Sequence, residues 1–246
     1  MARSRQLNAK PLGRPKVRET RYMPLPLQIG IVAAVRRVVG ATVRLRHAWQ
    51  GDNSTVYAVL DDEKIVAYLK LAAGVQAERE RLDWLEPRLP VPQVLASGVV
   101  DSSEWLLLTP CRGLDLANLK HTEPASRIVA LLAQALRIVH NTAAADCPFG
   151  IQAPGSRLVH GDACLPNFLF ADGVLTGVLD VADCGFGDPR SDLVTAVWSV
   201  QYNLGPGHAA AFLNAYGIDL AANDLELGFD ADGTECLRLV GERTRM

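Results

Sequence analysis

The chain has 246 residues, of which 49% are hydrophobic, enough for one large domain or two small lobes. Its formal net charge of −2 does not indicate a nucleic-acid-binding protein, and no apolar run is long enough to cross a membrane. Five cysteines form no Cys-x-x-Cys pair, which argues against a zinc site or a disulfide framework, so we expect a cytoplasmic protein.

The first 22 residues differ from the rest of the chain in charge. They hold seven basic residues against Glu19 alone and show no apolar period, which predicts a disordered basic extension over residues 1–22. Such an arm could contact nucleic acid or an anionic surface, but we favour an extension without a function, with Met23 as the expected natural start. The remainder is therefore acidic, which suits a cationic small-molecule partner.

The pattern from Leu27 to Leu108 predicts one helix followed by an antiparallel sheet. The helix covers Leu27–Val39 and ends before Gly40. Alternating and β-branched runs predict five strands, at residues 42–47, 55–60, 64–70, 93–100 and 105–108. A further helix, Val75–Leu89, is predicted between the third and fourth strands.

Two features of this sheet suit phosphate binding. Residues 50–55 form a polar, Gly-containing loop that can lay backbone N–H groups and a hydroxyl over phosphates, although a plain hairpin loop would look the same. Lys70 ends the third predicted strand. Because the chain has 20 Arg and only 5 Lys, we expect Lys where a compact ammonium group is needed, and we favour a phosphate contact over a solvated strand end. Its ammonium needs a carboxylate partner from the following helix, either Glu78 or Glu80.

From Leu114 onwards the pattern becomes helical. A long helix is predicted at residues 125–145, where His140 is expected to be a packed structural histidine rather than a catalytic one. Two further helices are predicted at residues 193–202 and 208–216.

The densest polar motif lies between these helices. His160, Asp162 and Asn167 follow the spacing His-x-Asp-x-x-x-x-Asn, and a hairpin with an Asp-Gly turn then leads to Asp180. This is the spacing of a kinase catalytic loop. Phosphoryl transfer needs a carboxylate that accepts the hydroxyl proton, here Asp162, and hard oxygen ligands for Mg²⁺, here Asn167 and Asp180.

The run His-Gly-Asp-Ala-Cys-Leu-Pro-Asn at residues 160–167 resembles the motif of the aminoglycoside phosphotransferase family, specifically its 3′-phosphotransferase branch. The run from Asp180 to Leu193 is similar to the wider family, in which Asp192 steadies the catalytic loop. The resemblance implies an α+β, bilobal protein-kinase-like fold with an antiparallel β N-terminal lobe and a mainly helical C-terminal lobe.

The same resemblance implies ATP and Mg²⁺ as cofactors. It places Ser54 and Lys70 at the nucleotide phosphates and favours Glu78 as the partner of Lys70. The hinge is expected to bind the adenine edge through the carbonyl of Thr109 and the N–H of Cys111.

The lobes and their possible partners follow from these assignments. We expect a nucleotide-binding lobe with its hinge at residues 23–111 and a catalytic lobe at residues 112–246. The expected partner is a small-molecule acceptor, with no nucleic acid and no membrane.

Two segments depart from the family pattern. The family has helices between its Cys-Pro-Phe, here residues 147–149, and its His-Gly-Asp, and these helices supply acidic side chains to the aminoglycoside pocket. Only Gly150–Val159 intervenes in this chain, without an acidic residue, and residues 219–246 do not match the family's last helix. We therefore expect intact transfer machinery beside a reduced acceptor site.

The leading hypothesis is an ATP-dependent phosphotransferase that acts on a hydroxyl of a small cationic molecule. The first candidate for that hydroxyl is the 3′-hydroxyl of an aminoglycoside, whose phosphorylation gives antibiotic resistance. The alternative enzyme is a kinase of another small metabolite or antibiotic. The alternative from another class is a degenerate, non-catalytic nucleotide-binding protein.

Overall fold

The computed structural model describes residues 27–51, 54–230 and 233–239. The predicted basic extension lies outside these ranges, as do Asp52 and Asn53 of the polar loop. Within the described ranges, no helix is long and apolar enough to cross a membrane.

The amino-terminal part is a five-stranded antiparallel sheet, as predicted. Its strands are β1 (Arg44–Gln50), β2 (Ser54–Asp61), β3 (Lys64–Ala72), β4 (Val94–Val100) and β5 (Ser103–Leu108). They are hydrogen-bonded in the order β1-β2-β3-β5-β4. Helix α1 (Ile29–Val39) precedes the sheet, and helix α2 (Val75–Leu85) joins β3 to β4.

The two faces of this sheet have different partners. One face packs against α1 through a small apolar core that includes Leu69 and Leu107. Lys70 follows Leu69 on β3 and so points to the opposite face, where Leu106 lies directly across from it. Leu106 belongs to the large apolar core of the carboxyl-terminal part. The sheet therefore turns Lys70 towards the carboxyl-terminal part of the molecule.

The carboxyl-terminal part is mainly helical, as predicted. Its helices are α3 (Leu116–Leu119), α4 (Ala125–His140), α5 (Pro189–Leu204) and α6 (Ala209–Tyr216). Its short strands are β6 (Leu114–Asp115), β7 (Arg157–Val159), β8 (Phe168–Ala171), β9 (Val174–Val178), β10 (Gly185–Gly187), β11 (Leu225–Phe229) and β12 (Glu235–Leu239). Strands β8 and β9 form the predicted hairpin, and β7 pairs with β10.

Two helices end earlier than predicted. Helix α2 stops before the predicted Leu89, because Pro87 has no N–H to continue the helical hydrogen bonds. Helix α4 stops before the predicted Ala145, where the Thr142 hydroxyl donates instead to the carbonyl of Ile138 at 2.8 Å.

The segment after α6 is a hairpin, where the family resemblance implies a helix. Strands β11 and β12 pair from Leu225 with Leu239 to Phe229 with Glu235. The Glu235 carboxylate accepts the N–H of Gly207 at 2.8 Å, which ties the hairpin to the loop after α5. Strand β12 also packs along α5.

Candidate active site

The motif at residues 160–167 forms the loop between β7 and β8. His160 at its start is fully buried. Gly161 has a φ of +87°, and a Cβ there would lie 2.6 Å from the Cβ and the carbonyl oxygen of Asp183. Only glycine fits between His160 and Asp162 without moving the loop.

Asp162 is held by two side chains of its own loop. The Asn167 amide donates to Asp162 Oδ2 at 3.1 Å and to the Asp162 carbonyl at 2.9 Å. The Cys164 thiol donates to Oδ1 at 3.0 Å, and burial, reinforced by this contact, raises the pKa of the thiol. Because the thiol stays protonated, neutral donors orient both carboxylate oxygens.

A buried carboxylate fastens the backbone of the loop. Asp192, in the first turn of α5, accepts the N–H groups of His160 at 2.6 Å and Gly161 at 2.9 Å. Its Oδ2 lies 3.0 Å from His140 Nε2, and His140 Nδ1 lies 2.8 Å from the Tyr216 hydroxyl. Asp192 thus steadies the loop in the way that the resemblance implies, and His140 is packed as a structural histidine.

The His160 ring links the loop to the end of the hairpin. Its Nδ1 accepts the Asp162 N–H at 3.2 Å, so the proton lies on Nε2, which donates to the Leu179 carbonyl at 2.9 Å. The ring holds Asp162 at a set position relative to the residue before Asp180.

Lys70 lies between two carboxylates. Its ammonium is 2.7 Å from Glu78 Oε2 and 2.8 Å from Asp180 Oδ1. Burial alone would lower the pKa of Lys70, but the two carboxylates outweigh burial and raise it. Glu78 is only 3% exposed, and burial raises the pKa of its carboxyl while Lys70 opposes that rise. Glu80 is exposed and accepts from Gln76 on α2, so the structure selects Glu78 as the partner.

Asn167 and Asp180 offer the kind of oxygen atoms that Mg²⁺ prefers. The Asn167 amide nitrogen donates to Asp162, so its Oδ1 is the atom that could bind a metal ion. The Leu179 N–H donates to the Asn167 carbonyl at 2.8 Å and so joins the two segments. Asp180 has a left-handed φ of +53°, a conformation that costs an ordinary residue about 1 kcal/mol and often marks a functional site.

This donor set is small. Among the described residues, no group of three or more His, Cys, Asp or Glu side chains could hold a metal ion. One carboxylate and one amide oxygen still fit Mg²⁺, because that ion usually keeps several waters and shares its remaining positions with substrate phosphates.

The hinge leaves two backbone groups available. The Thr109 N–H donates to the Gln93 carbonyl at 3.0 Å, and its hydroxyl accepts the Gln93 N–H at 2.9 Å. Over the residues that the structure describes, neither the Thr109 carbonyl nor the Cys111 N–H has a hydrogen-bond partner. Both groups are therefore free to receive the edge of a base.

Ser54 lies on the same face of the sheet as Lys70. It opens β2 opposite Ala72, while Lys70 lies opposite Val56, and residues two apart on a strand share a face. The Ser54 carbonyl accepts the Gly51 N–H at 2.9 Å, which closes the polar loop. The contact of its hydroxyl with phosphates stays a prediction.

The short segment on the acceptor side is a closed loop. Gly150, at the start of the segment, forms a β-bridge with Phe186 of β10. Leu158, near its end, pairs with the same Phe186, so strand β10 anchors both ends of the segment. Inside the loop, the Ala153 N–H donates to Ser156 Oγ at 3.1 Å and the Ser156 N–H to the Ala153 carbonyl at 3.0 Å. Residues 150–159 thus form a compact turn.

Two contacts that support the site were not predicted. The Ser199 hydroxyl accepts the Leu165 N–H at 3.0 Å, and its spacing of seven residues from Asp192 could have placed it on the same face of α5. Arg81 of α2 donates to the Cys184 carbonyl at 2.7 Å and so links the helix that carries Glu78 to the catalytic half.

A model of a protein family described as "Phosphotransferase enzyme family" matches residues 45–155 and 151–226, which together span most of the chain. The two matched stretches meet at residues 151–155. The match therefore breaks inside the shortened segment.

The chain is also similar to curated aminoglycoside 3′-phosphotransferases. It is 26% identical to the protein of Niallia circulans, over 70% of this chain and 83% of that protein. The protein of Streptomyces fradiae is 24% identical, over 59% of this chain and 74% of its own length. One from Escherichia coli is 25% identical, over 61% and 72%.

Solved structures share the fold. The aminoglycoside phosphotransferase APH(3'')-Id of Streptomyces rimosus has a TM-score of 0.63 at 21% identity, over 78% of this chain and 94% of that one. Its complex with ADP and streptomycin has a TM-score of 0.62 at 20% identity, over 78% and 92%. At these identities the likeness confirms the bilobal kinase-like fold and no more.

Proposed function

This chain belongs to the phosphotransferase enzyme family, and from that premise we propose that it transfers the γ-phosphoryl group of ATP to a hydroxyl of a small molecule, an aminoglycoside in the first place. One observation carries the proposal. Asp162 is oriented through both carboxylate oxygens, while Lys70 joins Glu78 to Asp180. The acceptor class is taken from the relatives, which are named aminoglycoside 3′-phosphotransferases.

Asp162 accepts the proton of the acceptor hydroxyl. Cys164 and Asn167 hold its two oxygens, so that the carboxylate meets the hydroxyl in a fixed orientation. Positioning of this kind supplies a large part of the catalysis of phosphoryl transfer, because the covalent demands on the protein are small.

Lys70 and the two oxygen ligands receive the charged end of ATP. Lys70, held by Glu78, would bind phosphate oxygens of the nucleotide. Asn167 and Asp180 would hold Mg²⁺, which would supply neutralisation of the phosphate charge. Ser54, on the same sheet face as Lys70, would offer its hydroxyl to the phosphates.

The hinge binds the base of the nucleotide. The Thr109 carbonyl would accept a hydrogen bond from the adenine edge, and the Cys111 N–H would donate one to it. Cys111 also ends the lobe at residues 23–111, and the catalytic lobe at residues 112–246 follows it.

The acceptor side recognises aminoglycosides weakly. Polyammonium acceptors need several fixed carboxylates around the reacting hydroxyl. The loop at residues 150–159 has none. In the carboxyl-terminal hairpin, Glu235 is engaged with Gly207 and Asp230 is paired with Arg238 at 2.7 Å.

The test is ADP release by the full chain with MgATP and kanamycin, neomycin or streptomycin, with Asp162→Asn as the control. Acceptor-dependent release that the control lacks supports the proposal. ATP binding without transfer to any acceptor contradicts it and favours a non-catalytic nucleotide-binding protein. A low-micromolar KM for kanamycin with rapid turnover contradicts only the proposed weak recognition of aminoglycosides and leaves the proposed phosphotransferase activity standing.

A further inference from the structure

Helix α2, which carries Glu78, is joined to the carboxyl-terminal part by a side chain one turn further on. Arg81 Nε donates to the Cys184 carbonyl at 2.7 Å, and the Arg81 guanidinium lies over the Phe149 ring, 4.6 Å from the ring centroid. Arg81 Nη1 donates to the Ala77 carbonyl of α2 at 3.0 Å. The guanidinium therefore binds its own helix and the other half of the molecule at the same time.

Two further side chains near the end of α2 meet the same short segment. The Trp84 and Phe149 rings are edge to face, with centroids 6.4 Å apart and an interplanar angle of 89°. Arg88, three residues after the helix, lies 4.1 Å from the centroid of the Trp84 ring and 2.6 Å from Asp146 Oδ2. Asp146 and Phe149 flank Cys147 and Pro148, so the Cys-Pro-Phe motif is the place where the carboxyl-terminal part receives α2.

Asp180 precedes the turn whose far end receives Arg81. The Cys184 N–H donates to the Val181 carbonyl at 3.0 Å, which closes the turn directly after Asp180. Arg81 donates to the carbonyl of the same Cys184. Helix α2 and the segment of the proposed metal ligand are therefore joined at two points, through Lys70 and through Arg81.

Apolar packing also holds α2, but it does not fix direction. Val75, Leu82 and Leu85 of α2 belong to the large apolar core of the carboxyl-terminal part. Apolar burial is non-directional, whereas a hydrogen bond fixes both a distance and an angle. The contacts of Arg81 therefore add a defined orientation to a helix that the core already holds in place.

We propose that Arg81 is a positioning residue for phosphoryl transfer, and that it acts by holding Glu78 against Lys70. Glu78 and Arg81 share a face of α2 and are about 4.5 Å apart along the helix axis. Because a helix moves as a rigid element, a shift that releases Arg81 also withdraws Glu78. The inference rests on the proposed function, since nucleotide binding is what gives the Lys70–Glu78 pair its task.

The experiment is a double-mutant cycle on MgATP affinity, measured by calorimetry with the full chain. We expect Arg81→Ala to weaken MgATP binding about fivefold, and by less than about twofold when Glu78→Gln is already present, because both residues act through one contact. The acceptor KM should stay within about twofold of wild type. Equal losses in the two backgrounds would show that Arg81 does not act through Glu78 and would overturn the proposal.

Arg79→Ala is the matched control on the same helix. Arg79 lies 3.5 Å from Asp83 and donates to Ser97 Oγ at 3.2 Å, and both partners belong to the amino-terminal part. This variant should leave MgATP affinity within about twofold of wild type. Arg81→Lys keeps a cation and a donor for the Cys184 carbonyl, so it should bind MgATP more tightly than Arg81→Ala. It also replaces Arg81→Ala in the cycle if urea unfolding shows that Arg81→Ala is not folded.

Failure of the inference and failure of the proposed function give different results. Additive losses in the cycle together with acceptor-dependent ADP release overturn the inference and leave the proposed function standing. Non-additive losses without ADP release for any acceptor support the inference and contradict transfer. If the wild type does not bind MgATP, the proposed function fails, and hydrogen exchange of the α2 amides then decides the role of Arg81. Equal exchange over Val75–Leu85 in wild type and Arg81→Ala overturns it, and faster exchange in the variant supports it.

Discussion

The proposed nucleotide side and the proposed acceptor side of this protein differ in how their groups are fixed. On the proposed nucleotide side, Lys70 contacts Glu78 and Asp180, and the Asp192 carboxylate accepts the N–H groups of His160 and Gly161. On the proposed acceptor side, the loop at residues 150–159 is anchored at both ends and by the Gln152 amide, which donates to the Ala145 carbonyl at 3.2 Å, and Ile151 is 77% exposed. The groups proposed for the chemistry are thus held by buried or charged partners, whereas the segment proposed for the acceptor is a surface turn.

The supports of the loop at residues 160–167 come from elements outside residues 150–159. They are His140 on α4, Asp192 and Ser199 on α5, and Tyr216 on α6. Strand β7 pairs with β10 and leads directly into that loop.

The largest effect is expected at Asp162. Asp162→Asn should lower kcat by about 10³-fold or more, because an amide cannot accept the hydroxyl proton. The affinity for MgATP should change little, since Lys70 and the metal ligands remain. Single-turnover kinetics and calorimetry on one preparation would measure the rate of transfer and the affinity for MgATP. Near wild-type turnover would show that Asp162 is not the proton acceptor.

The next effect separates two glutamates on α2. Glu78→Gln should weaken MgATP binding about tenfold, because Lys70 loses a charged partner that is almost fully buried. Lys70→Ala and Asp180→Ala should weaken it at least as much, through a lost phosphate contact and a lost metal ligand.

Glu80→Gln is the matched control for these variants, because Glu80 is two residues away, exposed, and bonded only to Gln76. ATP and Mg²⁺ titrations should be unchanged in this variant. If Glu78→Gln and Glu80→Gln behave alike, the Lys70–Glu78 pair has no part in nucleotide binding.

A smaller effect concerns the support of the loop. Asp192→Asn should lower the free energy of unfolding by about 2 kcal/mol, because the new amide group cannot accept both buried N–H groups. Asp172→Asn alters an exposed carboxylate paired with Arg112 and should cost less than about 0.5 kcal/mol. Urea unfolding would compare the two, and equal midpoints would contradict the supporting role of Asp192.

The smallest effect is expected on the acceptor side. Ile151→Ala should change kcat and acceptor KM by less than about twofold, because this side chain is mostly in solvent and supports no group of the site. Steady-state kinetics with the best acceptor would check it. A large rise in KM would mean that the closed loop still forms a wall of the acceptor site.

Much of the fold could be predicted because its signals are local. The strands up to Leu108 are alternating or β-branched runs, and the Asp-Gly turn defined the hairpin after Phe168. Helix ends were less predictable, since the end of α2 depended on whether Pro87 or the later Pro90 would stop the helix. The apolar pattern alone continued past Pro87.

The sequence by itself determined that His160, Asp162, Asn167 and Asp180 lie in adjoining segments, because one tight loop and one hairpin join them. Tertiary structure alone decided which partners meet across the molecule. Lys70 and Asp180 are 110 residues apart, and their contact depends on how the sheet packs on the helical half. The same packing chose Glu78 over Glu80 and brought Ser199 to the loop, because burial and orientation are properties of the packed molecule.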